Sequence, residues 1–184
     1  PMAAVKDISQ ADILNACIKF CYNFAAPALT DEMHVLDGFG NNRTLPKDGN
    51  DFCIVTPIRQ SRSGSNIESW KPDGDEVMEL AEYVNLDIQI DVYSTNIFDA
   101  LERAQTYETV ARSDFGVQHF LAFGIDCLFA EDVQNLTAVM DSKQYVSRWT
   151  LVLHLGYWKR VKLAQDFFKT AIVDVINVDT KFKP

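Results

Sequence analysis

The chain has 184 residues, 47% of them hydrophobic and 11% aromatic, which fits one globular domain over residues 1–184 and not a disordered chain. Its formal net charge of -9 argues against a protein that wraps nucleic acid, because phosphate binding needs a basic surface. No apolar run approaches the ~20 residues of a membrane-spanning helix, so no membrane partner is expected. Pro1 precedes Met2, and we take it as a residue added outside the natural sequence.

The first predicted elements are a helix, a loop and a strand. Residues 7–24 carry apolar side chains at three- and four-residue spacing, which predicts an amphipathic helix capped by Asp7 or Ser9. Residues 37–50 are rich in glycine, asparagine and aspartate, as in a loop. Residues 51–62 follow as a strand.

The end of this strand and the segment after it are predicted to contact a partner. Pro57 indicates a bulge or a sheet edge, because proline cannot donate a ladder hydrogen bond. Residues 63–75 are polar with a single large aromatic, which predicts a mobile hairpin tip that serves as a contact loop. The candidate interface residues are Arg59, Arg62, Trp70, Asp73 and Asp75.

Residues 83–93 alternate strictly between apolar and polar side chains, which predicts a strand with one face on a core and the other on solvent or a partner. Asp87 and Asp91 lie on the polar face. They are four residues, ~13 Å, apart along the strand, too far to act as a carboxylate pair on one bond.

A second amphipathic helix is predicted over residues 94–113, capped by Ser94 or Thr95. A shorter helical piece over 114–123 and short strands near 126–129 and 134–139 follow. The stripe predicted to be buried comprises Ile97, Ala100, Leu101, Ala104, Tyr107 and Ala111. The side chains predicted to be solvated are Glu102, Arg103, Glu108 and Arg112.

The longest alternating segment, residues 143–158, predicts a strand that either bends at Gly156 or extends past its own domain to meet a neighbour. Ser147 and His154 fall on opposite faces of it, so they cannot form a nucleophile–base pair. Arg148 shares a face with His154 but lies ~20 Å away along the strand. A last strand is predicted over residues 170–182.

No metal or cofactor site is indicated. The four cysteines are too few and too scattered for a disulfide framework, and we expect Cys17 and Cys21 to be reduced core residues on one helix face. The histidines show no ligand spacing with the cysteines or with each other. We therefore expect no cofactor, and no enzyme motif is evident.

Two segments together resemble a family of phage neck and tail-terminator proteins. "LDIQIDVYSTNIFDALERAQTY" is similar to the family's strand-then-helix signature, and "MDSKQYVSRWTLVLHLGYWKRVKLAQDFFKTAIVDVINVD" is similar to its closing section. The resemblance covers residues 86–179, although Ser94 stands where glycine is expected. The matching positions are Gln89, Asp91, Tyr93, Asp141, Gln144, Tyr145, Arg148, Gln165, Asp166 and Phe167.

The resemblance implies an α/β fold with a mixed, mostly antiparallel sheet and helices on one face. It also implies a structural virion protein, not an enzyme, assembled in the bacterial cytoplasm. Such a protein forms a ring, usually a hexamer, that caps the tail tube and joins it to the head connector. DNA would pass through the lumen without specific binding, since an acidic lumen repels phosphates.

Two other functions remain open from the residues alone. One is a small-molecule enzyme or binder with a pocket around His154, Trp149 and Asp91. The other is a cellular protein-interaction adaptor, which would have a similar sequence.

Overall fold

A computed structural model describes residues 5–6, 8–40, 46, 51–70, 77–139 and 145–164. In that part of the chain, helices pack on one face of a mixed, mostly antiparallel sheet, as predicted. The helices are α1 (Gln10–Asn23), α2 (Ile97–Ala111) and α3 (Asp114–Leu121), with a 3-10 turn at Glu32–His34. The strands are β1 (Val5–Lys6), β2 (Val35–Asp37), β3 (Phe52–Arg62), β4 (Ile67–Trp70), β5 (Val77–Ser94), β6 (Ile125–Ala130), β7 (Gln134–Asn135), β8 (Ala138–Val139) and β9 (Tyr145–Ala164).

The sheet is organised around β5 and β9, which pair antiparallel from Val77 opposite Ala164 to Ser94 opposite Ser147. The second edge of β9 is covered in turn by the short strands β8, β7, β6 and β1. The second edge of β5 is covered by β3 and β4, and β2 adds to β3 in parallel. Two long central strands therefore pair with every shorter described strand except β2, which pairs with β3.

The core lies between the helices and the face of the sheet that we call the inner face. Alternate residues of β5, such as Leu86, Ile88 and Ile90, point into it and are fully or almost fully buried. Leu153 and Leu155 of β9 do the same. The alternation that the sequence predicts in both strands is confirmed.

Helix α1 begins where its capping residue predicts. The Ser9 hydroxyl accepts a hydrogen bond from the Asp12 amide at 3.1 Å, and the Asp12 carboxylate accepts one from the Ser9 amide at 3.0 Å. This capping box satisfies two amides that the helix itself leaves unpaired. Cys17 and Cys21 are buried on its core face, where desolvation raises the pKa of each thiol.

Three predictions about helix α2 are wrong. Ile97, predicted to be buried, is 46% exposed. Asn96 caps the helix, not Ser94 or Thr95, and its side chain accepts a hydrogen bond from the Phe98 amide. Arg103, predicted to be solvated, is 0% exposed. Its Nε donates to the Pro27 carbonyl at 2.8 Å and its Nη2 contacts Asp51 at 3.2 Å. These partners allow a cation to occupy the buried stripe.

Predictions for the N-terminal strands hold in part. β3 has the predicted bulge, between Pro57 and Arg59. However, β2 was not predicted and ends at Asp37, the first residue of the predicted 37–50 loop. β4 occupies part of the 63–75 segment that was predicted as a loop. The strand predicted over residues 170–182 lies outside the described residues.

β5 and β9 extend past the part of the sheet that the helices cover. On the inner face, Val84 and Tyr157 are buried, whereas Leu80 and Val161 further along are only partly covered, and Leu163 is exposed. We call residues 77–83 and 158–164 together with β4 the arm. None of the helices in the described ranges is long and apolar enough to cross a membrane.

β9 continues as a strand through Gly156 into the arm, and its contact with a neighbour stays a prediction. Gly156 instead makes room for Tyr83, because a Cβ at position 156 would overlap the Tyr83 ring. The Tyr83 hydroxyl donates to Asp126 at 2.8 Å, and its ring meets Trp158 edge-on at 5.3 Å. An aromatic lying over a strand glycine covers backbone that would otherwise be exposed.

We predict that Gly156→Ala lowers the free energy of unfolding by about 1–3 kcal/mol, because the added methyl displaces a tethered ring. Urea unfolding of the variant measures this loss. In a Tyr83→Ala background the same change should cost clearly less, since nothing remains to be displaced. An equal cost in both backgrounds would contradict the explanation.

Candidate functional site: the outer face of the sheet

The candidate site is the sheet face opposite the helices, which we call the outer face. Asn85, Asp87, Gln89 and Asp91 of β5 lie on it, as their alternation predicts. The register places them beside Arg148, Thr150, Val152, His154 and Gly156 of β9. The face is polar, but its charges are organised into two clusters and are not simply solvated.

The first cluster, the Arg148 cluster, contains Arg148, Asp91, Gln89 and Tyr93. The Nε and Nη2 atoms of Arg148 each lie 3.1 Å from Asp91 Oδ1. Gln89 donates to Asp91 Oδ2 at 2.9 Å, and the Arg148 guanidinium lies 5.8 Å from the centre of the Tyr93 ring. Both oxygens of a carboxylate that is only 5% exposed are therefore hydrogen-bonded.

Aromatic packing closes one side of this cluster. Phe52 of β3 stacks on Tyr93 with ring centres 4.6 Å apart and planes 12° apart. Burial raises the pKa of the Tyr93 hydroxyl, and the nearby Asp91 carboxylate adds to that rise. The ring therefore stays neutral and acts as a packing surface for the guanidinium.

The second cluster, the His154 cluster, contains His154, Asp87, Glu131 and Phe129. The imidazole Nδ1 lies 2.7 Å from Asp87 Oδ1, and Nε2 lies 3.0 Å from Glu131 Oε1. The Phe129 ring stacks on the imidazole at 4.1 Å. Each ring nitrogen thus lies within hydrogen-bond distance of a carboxylate oxygen, so the imidazole is held in place from both sides.

Neither cluster has the arrangement of a catalytic site. Ser147 is buried towards the inner face, so the structure confirms that it cannot reach His154. The two His154 nitrogens contact different carboxylates on opposite sides of the ring. Among the described residues, no group of three or more His, Cys, Asp or Glu side chains could hold a metal ion. The arrangement supports rigidity and charge neutralisation.

The structure brings together four of the residues in the family pattern. Gln89, Asp91, Tyr93 and Arg148 all belong to the Arg148 cluster. Tyr145 begins β9. Asp141, Gln144, Gln165, Asp166 and Phe167 lie outside the described residues.

The candidate interface residues do not form one cluster. Arg59 is exposed on the edge of the sheet, and Arg62 pairs with Glu82 at 3.2 Å. Trp70 lies in β4, and Asp73 and Asp75 lie outside the described residues. Whether these residues contact a partner remains a prediction.

Sequence reasoning missed Glu131, Phe129 and Arg103. The first two reach His154 only because β6 pairs with β9, which no local pattern reveals. Arg103 could have been found, because it follows Ala100 by three residues and precedes Tyr107 by four, the spacing of the buried stripe. Its charge suggested a solvated position instead.

A family model described as phage neck terminator protein matches residues 12–183. No curated protein matches the chain. One solved structure, of a protein without a descriptive name, is 14% identical over 89% of this chain and 100% of its own, with a TM-score of 0.31. At that score the likeness supports no argument about fold or function.

We predict that Arg148→Ala lowers the free energy of unfolding by about 1–3 kcal/mol, because Asp91 then keeps an unpaired charge in a nearly buried position. Arg62→Ala is the matched control. It removes an arginine that is mostly exposed from a pair with Glu82 and should cost at most about 1 kcal/mol. If chemical unfolding gave the same loss of unfolding free energy for both variants, the Arg148 cluster would contribute no more to stability than an exposed ion pair.

Proposed function

The chain belongs to the phage neck terminator family, and we propose that it assembles there as a hexameric ring that caps the tail tube and joins it to the head connector. The family is structural, and its place is the neck or tail of the virion. A structural role is therefore favoured over a small-molecule binder or a cellular adaptor. Assembly in the host cytoplasm and the individual partners are part of the proposal.

The outer face carries this proposal, and we assign it to the lumen through which DNA passes. A channel for DNA must be polar yet must not hold phosphates, since each unpaired cation adds a salt-dependent phosphate contact. On the outer face, Arg148 is neutralised by Asp91, and His154 lies between Asp87 and Glu131. Within the part of the chain that the structure describes, the centre of the face thus offers hydration without a free cation.

The net charge of -9 supports the same assignment, because an acidic ring repels the DNA backbone at long range. The helices would then lie outside the ring, where their exposed side chains face solvent or the other neck proteins. This orientation also keeps the apolar core away from the channel.

The arm is the proposed axial contact, with either the tail tube protein or the connector. Its two long strands extend beyond the helices, and the arm exposes two apolar side chains, Ile67 of β4 and Leu163 of β9. Ion pairs between Glu82 and both Lys159 and Arg62 hold its base. A stiff sheet extension of this kind can insert between neighbouring proteins without first having to fold.

We expect phage that lack this chain to accumulate DNA-filled heads and separate tails, many of abnormal length, in electron micrographs of infected-cell lysates. Supplying the chain from a plasmid should restore joined particles. Infectious particles of normal tail length that form without the chain would contradict the proposed function.

We predict that Asp91→Asn makes the assembled protein retain DNA, because it frees the Arg148 cation on the outer face. Binding of double-stranded DNA to the purified ring should rise and should weaken steeply between about 50 and 200 mM salt. Asp99→Asn, an equal change of charge at the start of α2, is the control and should have no effect. Equal binding by the two variants would argue against the lumen assignment.

A further inference from the structure

The described part of the sheet ends in two free edges, on opposite sides. β6 pairs with β9 along one side, and no described strand covers its other side. β2 pairs with β3 only at residues 53–55. No described strand therefore pairs with residues 57–62 of β3 along the edge that points away from β5. Free edges of this length expose unpaired backbone groups, which natural proteins either block or use for pairing.

The two edges lie at the same level of the sheet. The pairings of β6 with β9, of β9 with β5 and of β5 with β3 show which residues lie level with each other across the sheet. Each end of β6 lies level with one end of residues 57–62 of β3. At one end the connected residues are Ile125, Tyr157, Val84 and Arg62; at the other they are Ala130, Leu153, Ile88 and Pro57. A neighbour placed beside the sheet without an axial shift would therefore bring these edges together.

The directions of the two edge strands also match. β3 runs antiparallel to β5, β5 to β9, and β9 to β6, so β3 and β6 run in opposite directions. Copies related by rotation about a ring axis keep the direction of each strand. β6 of one copy would then meet β3 of the next as an antiparallel pair, in which both strands gain hydrogen bonds.

The edges carry opposite charges. Residues 52–67 contain Arg59 and Arg62 and no acidic residue. Residues 122–136 contain Asp126, Glu131 and Asp132 and no basic residue. Arg112, at the end of α2, pairs with Asp132 at 2.8 Å and donates to the Ala130 carbonyl, so Asp126 and Glu131 supply the negative charge of this edge. Unlike edges therefore attract and like edges repel, which favours head-to-tail pairing over a two-fold dimer.

Both edges also expose an apolar residue at the same level. Ile58 is 50% exposed at the bulge of β3, and Leu128 is 47% exposed at the bulge of β6. The residues beside them, Arg59 and Phe129, are joined in register through Asp87 and His154. The β-bulges of β3 and β6 therefore also lie at the same level of the sheet.

We propose that residues 57–62 of one copy pair with β6 of the next copy and make the sheet continuous around the ring. The proposal rests on the proposed ring and specifies its subunit contact. Arg59 then lies opposite the partner's Phe129, with the partner's Asp126 and the partner's Glu131 as its diagonal neighbours on the outer face. Arg59, which has no ion pair among the described residues of its own chain, gains one in the ring.

A charge swap tests the contact. A phage without its own copy of the chain is complemented with Arg59→Glu, with Glu131→Arg or with the double variant, and joined particles are counted. Each single variant should lower their yield by about tenfold or more, because it places like charges at the contact. The double variant should recover most of the yield. Asp126→Arg is a second charge-reversed partner for Arg59→Glu, in case Glu131→Arg disturbs His154, because its guanidinium can donate to the new carboxylate.

Glu102→Arg, a charge reversal at an exposed position of α2 and away from both edges, is the control and should leave the yield unchanged. Thermal unfolding shows whether each variant is folded. Folded single variants that assemble as well as the wild type would overturn the edge contact. Failure of both double variants to recover the yield of joined particles would also overturn it. In either case, finding the wild-type chain in joined particles would still support the proposed function. Absence of the wild-type chain from virions contradicts the ring itself.

Discussion

The antiparallel pairing of β5 with β9 determines the position of almost every functional feature of this protein. Each strand alternates between apolar and polar side chains, and the register from Val77–Ala164 to Ser94–Ser147 puts the apolar sets on the same side. A slip of one residue would send every side chain of one strand to the wrong face. The core, the two polar clusters and the arm all depend on this one register.

The pairing also explains why the polar side chains of the outer face form defined contacts with each other and are not only solvated. Asp91 and Asp87 come from one strand and Arg148 and His154 from the other, so both side-chain contacts form only when the strands are in register. The packing of Tyr83 over Gly156 adds a steric condition to the same register. The proposed ring needs every copy in the same geometry, and a sheet with a single arrangement provides it.

Much of this architecture is visible in the sequence. Local patterns predicted α1 with its Ser9 cap, the Pro57 bulge and the faces of both long strands, because each depends on spacing or on one residue type. Local patterns could not predict β2 and β4, which are short and gain their stability from longer neighbours. They also failed for Arg103, whose burial depends on distant partners, Pro27 and Asp51.

The central claim is that the outer face of this sheet faces the DNA channel of the neck. A cryo-EM reconstruction of the assembled neck, at a resolution that traces strands and helices, tests it most directly. The account predicts β5 and β9 at the lumen, with Asp87, Asp91, Arg148 and His154 towards the axis and α1, α2 and α3 outside. Helices lining the channel, with the polar face turned outwards, would contradict it.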